Sequence, residues 1–389
     1  MEKLYIGIYG SVNSGKSTLI NKIAGQQAAL VSEQPGTTTD PVKKPIELEG
    51  LGPAVLIDTA GLDDITPLGR ARVQKTLETL PLIDMAIMVA ESGTLTEQDL
   101  ELMGEFKKKN IPFLIINNKS DAQGYADLVF KDAPIIPYSA LRAKNAKVIL
   151  EALARLKPAH INQKHVLLDD LVLPGDIVVL ITPIDAAAPQ GRLILPQVSA
   201  IRNILDNNAI AVVLQPSQLA DYIKTGVKIK LVVTDSQVFK EVNEILPKEI
   251  PLTSFSILFA RLKGDLRVYL EGAAAISALK EGDKVLILES CSHSATTCED
   301  IGRVKLPKLI SAKSGKKINF KIIPALDPLP ADIESYALVV QCGGCMVTRH
   351  QLMNRIDLAL AAGVPVTNYG IAIAYCNGIL ERVTEIFKF

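Results

Sequence analysis

The stretch Gly10-Ser11-Val12-Asn13-Ser14-Gly15-Lys16-Ser17 follows the apolar run Leu4–Tyr9 and fits the pattern GxxxxGK[ST]. It constrains the fold strongly because it works only between a buried strand and a helix. Its glycines let the backbone curl until the loop N–H groups and the helix N-terminus converge on phosphate oxygens. Lys16 then adds a point charge at the β- and γ-phosphates, the Ser17 hydroxyl is placed to ligate Mg²⁺, and Thr18 continues the helix start. Further apolar runs at Ala54–Ile57, Met85–Val89 and Phe113–Ile116 each lead into a polar turn, with helical patterns such as Gly69–Leu80 and Glu97–Lys108 between them. That alternation predicts a doubly wound α/β domain over residues 1–160, closed by a helix at Ala146–Leu156 and a polar linker at Lys157–Lys164.

Asp58-Thr59-Ala60-Gly61 ends one of those runs. Asp58 is placed to hold Mg²⁺ through water, and the Gly61 backbone to meet the γ-phosphate. Pro35-Gly36-Thr37-Thr38-Thr39-Asp40 lies between the two motifs, with Thr38 as the candidate metal and γ-phosphate contact. Asn118-Lys119-Ser120-Asp121 selects the base. A carboxylate at Asp121 accepts from guanine N1–H and its exocyclic amine, groups that adenine does not offer there; such a site rejects the wrong base by roughly 10⁴-fold. Ser139-Ala140 completes the base pocket. The candidate GTP site is therefore Gly10, Asn13, Ser14, Gly15, Lys16, Ser17, Thr18, Asn118, Lys119, Asp121, Ser139 and Ala140, with Lys16, Thr38, Asp58 and Gly61 at the reacting phosphate.

Residues 1–156 resemble the GTPases typified by the tRNA-modifying MnmE and the ribosome-assembly factor Era. Leu62 follows Gly61, so the water-orienting glutamine of Ras-like proteins is absent. In the MnmE-like group an asparagine at the Asn13 position helps hold K⁺. The resemblance thus implies slow, potassium-stimulated GTP hydrolysis.

The rest of the 389-residue chain reads as two further α/β segments. Residues 165–262 interleave apolar runs at Ile177–Ile181, Ala211–Val213 and Ile229–Val233 with helices around Ser199–Asp206 and Phe239–Ile245, and carry no catalytic motif. Residues 263–389 hold all five cysteines. An odd count with one CxxC argues for metal ligation over a disulfide framework. One predicted strand, Lys284–Glu289, ends at Cys291-Ser292-His293, and another, Tyr336–Gln341, ends at Cys342-Gly343-Gly344-Cys345. Ligands gather outside the carboxyl ends of strands in such sheets, which would bring both motifs to one side. A helix at Thr348–Ala362 follows. Ligand types alone leave zinc, as a Cys₃His site with His293, and iron–sulfur both open. Leu358–Leu380 reads as helix end, buried strand and turn. Cys376 reads as a core residue, and His160 and His165 as surface residues. Arg303–Lys321 holds seven basic residues and reads as a solvated loop, or else as a docking surface for an acidic partner.

CxH, a long gap and CxxC behind a GTPase domain resemble the FeFe-hydrogenase maturation GTPases of the HydF family over essentially the whole chain. The resemblance implies a 4Fe–4S cluster on Cys291, Cys342 and Cys345, a middle dimerisation domain and hence a homodimer. It also implies a scaffold and carrier for the two-iron precursor of the hydrogenase site, loaded by radical-SAM maturases and delivered to apo FeFe-hydrogenase. Many relatives have His before CxxC, where this chain has Gln341. His293, Cys298, Glu299 or water are the candidates for the fourth iron position. The competing reading is an Era- or MnmE-like GTPase in ribosome assembly or tRNA modification with a zinc-stabilised C-terminal domain. A third is a switch in which cluster redox state controls the GTPase. Forty-two basic residues balance forty-two acidic ones, which counts against a nucleic-acid partner. Neither a leader pattern nor a membrane span is legible, so the chain reads as cytoplasmic.

Overall fold

The computed structural model describes residues 3–25, 42–61, 74–143, 146–158, 166–184, 193–290, 300–324, 327–345 and 347–387. Thr38, Leu62, His160, His165, Cys291, His293, Cys298, Glu299 and the first part of the predicted helix Gly69–Leu80 lie outside them. The chain divides into two compact units, Met1–Gln163 and Lys164–Phe389. Among the described residues, no helix is long and apolar enough to cross a membrane.

The first unit holds a six-stranded sheet of order β2-β3-β1-β4-β5-β6. Its strands are β1 Leu4–Tyr9, β2 Val42–Leu48, β3 Gly52–Asp58, β4 Met85–Glu91, β5 Phe113–Asn118 and β6 Ile135–Pro137. Only the β2–β3 pairing is antiparallel. The central strands are continuous apolar runs because both faces of the sheet are covered. Leu19, Ile20, Ile149 and Leu153 pack on one face, and Leu102, Met103 and Phe106 on the other. The helix Glu97–Lys108 starts where Thr96 and Asp99 cap each other's backbone N–H groups, and it ends on Lys107 and Lys108, which suit the negative end of the helix dipole.

The second unit holds two four-stranded parallel sheets, of orders β10-β9-β7-β8 and β12-β11-β13-β14. The first comprises β7 Ile177–Ile181, β8 Ile210–Leu214, β9 Leu231–Thr234 and β10 Leu252–Ser254. The second comprises β11 Lys284–Leu288, β12 Asn319–Ile323, β13 Leu338–Gln341 and β14 Val366–Asn368. Both belong to a single apolar core that runs from Leu167 to Phe387. The helix Phe255–Lys263 is the shared layer. Phe255, Ile257, Leu258, Phe259 and Ala260 are all buried, and the helix touches helices Leu195–Asp206, Arg349–Ala361 and Tyr369–Cys376.

Two local expectations need correcting. After β14 the chain enters a helix, Tyr369–Cys376, where the sequence suggested a turn. Asn368 caps it, its side chain accepting from Gly370 N. An asparagine before an apolar run was the available cue. The basic stretch is no solvated loop either. Asp300 caps a π-turn at Ile301–Lys305, which continues into the helix Leu306–Ser314 and then β12. Arg303 is held by Glu289 through two hydrogen bonds of 2.8 and 2.9 Å.

Candidate functional site

β1 ends at Tyr9, and the chain then curls through Gly10 and Gly15 (φ +141° and +95°) into the helix Lys16–Ala24. A side chain at Gly15 would strike Asn118 Nδ2, and one at Gly61 would strike Val12, so both positions require glycine. Ser14 is fully buried under the loop, while Asn13 (φ +63°) and Thr18 are exposed. Lys16 Nζ donates to Gly10 O (2.9 Å) and Ser11 O (2.7 Å), so the ammonium lies along the loop it serves. Ser17 Oγ donates to Asp58 Oδ2 at 3.0 Å. That pairing brings the two expected Mg²⁺ groups together at the ends of β1 and β3. Burial raises the Asp58 carboxyl above its ordinary pKa, against the hydrogen bond from Ser17 and the charges of Lys16 and Lys44. A cation at this place would relieve that desolvation, so the residues fit Mg²⁺.

At the base end, Asn118 closes β5 and is buried. Its Nδ2 donates to Ser14 O (2.8 Å), and its Oδ1 accepts from Ala140 N (3.0 Å). One side chain thus ties the phosphate loop to the base pocket. Lys119 takes a left-handed conformation (φ +60°), and its ammonium pairs with Glu91. Asp121 is held by Ser139 and by Arg142 Nε at 2.8 Å. The Ser139 hydrogen bond, then a backbone hydrogen bond and the Arg142 charge, keep its carboxyl below the usual range despite partial desolvation. It is therefore ionised and acceptor-only, as guanine recognition needs. Sequence reasoning missed Asp99. Besides capping its helix it accepts from Ser11 Oγ (3.1 Å), which links the phosphate loop to that helix. The Thr96-x-x-Asp99 spacing was the signal.

In the second unit, β11 and β13 run side by side with Leu288 opposite Gln341. Cys342, the first residue after β13, is buried, and its N–H donates to Leu288 O (2.9 Å). Cys345 is half-buried beyond a left-handed Gly344 (φ +70°). Gln341 is fully buried. Its Nε2 donates to Ser290 Oγ (2.9 Å) and to Cys342 O (3.2 Å), so it struts the two strand ends that carry the cysteine motifs. Its Oε1 is buried with no partner among the described residues. Arg355 is buried beside this turn and donates to Asp327 O (3.0 Å). Burial pulls its pKa down to about 10, while negative charge at Asp327 and at Cys342 works in the opposite direction. Cys376 packs against the core, and burial pushes its thiol up to about 11.

Among the described residues, no three His, Cys, Asp or Glu side chains gather as a metal cage. The described half of the site nevertheless fits a thiolate-bound, anionic group. Two thiols sit on one glycine turn at a sheet's carboxyl end, with the Arg355 guanidinium buried nearby.

Residues 5–119 match the family model of the 50S ribosome-binding GTPases. The tRNA modification GTPase MnmE of Caldicellulosiruptor saccharolyticus is 35% identical over 121 residues, 30% of this chain and 26% of the relative. That of Nitrosospira multiformis is 35% identical over 124 residues, 31% and 26% of the two chains. The chain thus spans about a quarter of the length of the curated relatives it matches. Among solved structures, the G domain of the T. maritima FeoB iron transporter has a TM-score of 0.31 at 19% identity, covering 40% of this chain and all of that one. A GTP-binding protein from the archaeon Sulfolobus solfataricus in complex with GDP has a TM-score of 0.31 at 24% identity, over 40% and 52%. Residues 167–264 match the hydrogen maturase F dimerization domain, and residues 267–386 the hydrogen maturase F tetramerization domain. The chain belongs to the hydrogen maturase F family. A P-loop GTPase domain precedes the two domains that define this family, and both carry descriptions of assembly between subunits. In this chain the CxxC turn lies within the tetramerization domain, and the two family domains meet between Gly264 and Arg267, just past the buried helix Phe255–Lys263.

Proposed function

We propose that this chain is a GTP-hydrolysing scaffold and carrier in FeFe-hydrogenase maturation. It holds a 4Fe–4S cluster on Cys291, Cys342 and Cys345 and passes a two-iron precursor from radical-SAM maturases to apo-hydrogenase. The carrying observation is the CxxC turn at the joined ends of β11 and β13, inside hydrogen maturase F domains and behind a complete set of guanine-nucleotide motifs. Three thiolates on four irons leave one iron free to bind a second metal unit. His293, Cys298, Glu299 or water would occupy that position between loads. Second-copy contacts through the dimerization domain agree with apolar residues exposed on edge strand β8, Ile210 and Val213.

At the nucleotide, Ser17, Thr38 and, through water, Asp58 would hold Mg²⁺, which neutralises developing phosphate charge. Lys16 leaves the loop carbonyls for the β- and γ-phosphates, while Asn118 keeps the loop in register with the base pocket. Leu62 has no group to orient water, and positive charge beside the phosphates is a route to acceleration that needs none. Asn13, exposed at the loop's crest, would hold K⁺ there. Hydrolysis should therefore run several-fold faster in potassium than in sodium buffer, and equal rates would remove Asn13 from that role.

The test of the scaffold reading is anaerobic reconstitution with iron and sulfide, followed by metal analysis and EPR of the reduced protein. About four irons per chain and a 4Fe–4S signal are expected. Stoichiometric zinc with no reconstitutable cluster would overturn the reading and favour an RNA-directed GTPase of the MnmE kind.

A further inference from the structure

Lys263 is the last residue of the helix Phe255–Lys263, in the dimerization domain, and is only 9% exposed. Its ammonium donates to Gly344 O (2.8 Å) and Val347 O (2.6 Å), the carbonyls one residue before and two residues after Cys345. Arg349, at the start of the helix behind the CxxC turn, reaches back the other way. Its Nη1 donates to Gly264 O (2.6 Å) and Leu262 O (3.4 Å), the carbonyls on either side of Lys263. Each cation thus grips the backbone that carries the other. Buried ammonium groups are costly, and lysine in particular is seldom placed inside without a specific task.

We propose that Lys263 and Arg349 form a reciprocal clasp that fixes the CxxC turn in its metal-holding shape, and that the Lys263 charge eases reduction of the cluster held there. The proposal rests on the cluster reading above. Lys263 is a positioning residue. Gly344 has a left-handed backbone, a conformation a free loop would leave readily, and anchoring Gly344 O and Val347 O restricts that freedom. A peptide's C=O and N–H point in opposite directions, so drawing Gly344 O inward turns the Cys345 N–H away from Lys263. The charge has a second effect. A thiolate-ligated cluster gains negative charge on reduction, and a cation in a poorly hydrated place favours the more negative state. The dimerization domain would then set the electron affinity of a group bound in the tetramerization domain.

Three substitutions separate shape from charge in the full-length, reconstituted protein. Lys263→Met removes both the donors and the charge, Lys263→Gln keeps donors without charge, and Lys263→Arg keeps both. Iron loss to a chelator should be about tenfold faster in Lys263→Met, intermediate in Lys263→Gln and near native in Lys263→Arg. In an EPR-monitored redox titration both neutral variants should need a potential lower by about 59 mV, a tenfold change in the oxidised-to-reduced ratio for a one-electron couple. Circular dichroism and oligomer mass report folding. Should Lys263→Met fail to fold, Lys263→Gln carries the potential and Arg349→Lys the clasp. A native protein that forms a cluster whose potential and chelator half-life are unchanged in these variants overturns the proposal alone. A native protein that forms no cluster overturns the reading beneath it.

Discussion

Asp121→Asn is expected to weaken GTP binding by about 10²- to 10³-fold while creating hydrolysis of xanthosine triphosphate. Guanine presents two donors, N1–H and the exocyclic amine, and an ionised Asp121 carboxylate would accept both. An asparagine amide can accept one and turns its own NH₂ toward the other. Losing charge-assisted hydrogen bonds costs about 1.5–3 kcal/mol each, and the clash of donors adds to that. Xanthine carries a carbonyl where guanine has its amine, so the same amide meets it with correct polarity. Ser139 can hold an amide where it now holds the carboxylate, whereas the ion pair with Arg142 is lost in the variant. Competition between nucleotides for a fluorescent analogue measures the effect. GTP affinity within about threefold of native would remove Asp121 as the base acceptor.

Cys342→Ser is expected to reduce the reconstituted protein from about four irons per chain to nearly none, with loss of the reduced EPR signal. The change is small in volume, and the thiol is buried at a strand end whose backbone hydrogen bond to Leu288 does not depend on the side chain. What alters is ligand softness, since a hydroxyl oxygen is a poor donor to iron–sulfur clusters. Cys376→Ser provides the control, because that cysteine packs against the core with its thiol proton held more tightly than usual. It should keep its iron. A Cys342→Ser protein that still binds four irons would exclude Cys342 from the ligand set.

Much of this architecture is legible because local chemistry decides it. Strands β1, β4 and β5 are apolar runs that no other element could bury, and the phosphate loop needs its glycines where the backbone φ is positive. The helix Glu97–Lys108 and the strand Ile177–Ile181 begin and end where their patterns say. Cys342 and Cys345 fall at a strand's carboxyl end because parallel sheets present their loops there. What stayed hidden depends on distant partners. The burial of Lys263 is set by carbonyls about eighty residues further along the chain, and nothing in Ala260-Arg261-Leu262-Lys263 distinguishes it from a surface helix end. Gln341 reads as a missing histidine in sequence. In space it is a strut to Ser290, fifty-one residues back. The helix Tyr369–Cys376 was hidden because an almost uniformly apolar helix has no periodic face to reveal it.

The shared core of the second unit separates two meanings of the word domain. The boundary between the two family segments falls near residue 264, yet Phe255, Leu258 and Phe259 just before it are packed in the same apolar core as β13 and the last helices. Cutting there would lay that layer open to water on both fragments. Heat or denaturant should accordingly dissolve residues 164–389 in one cooperative step, distinct from the GTPase unit. Two segments distinct in sequence are thus one body in thermodynamics.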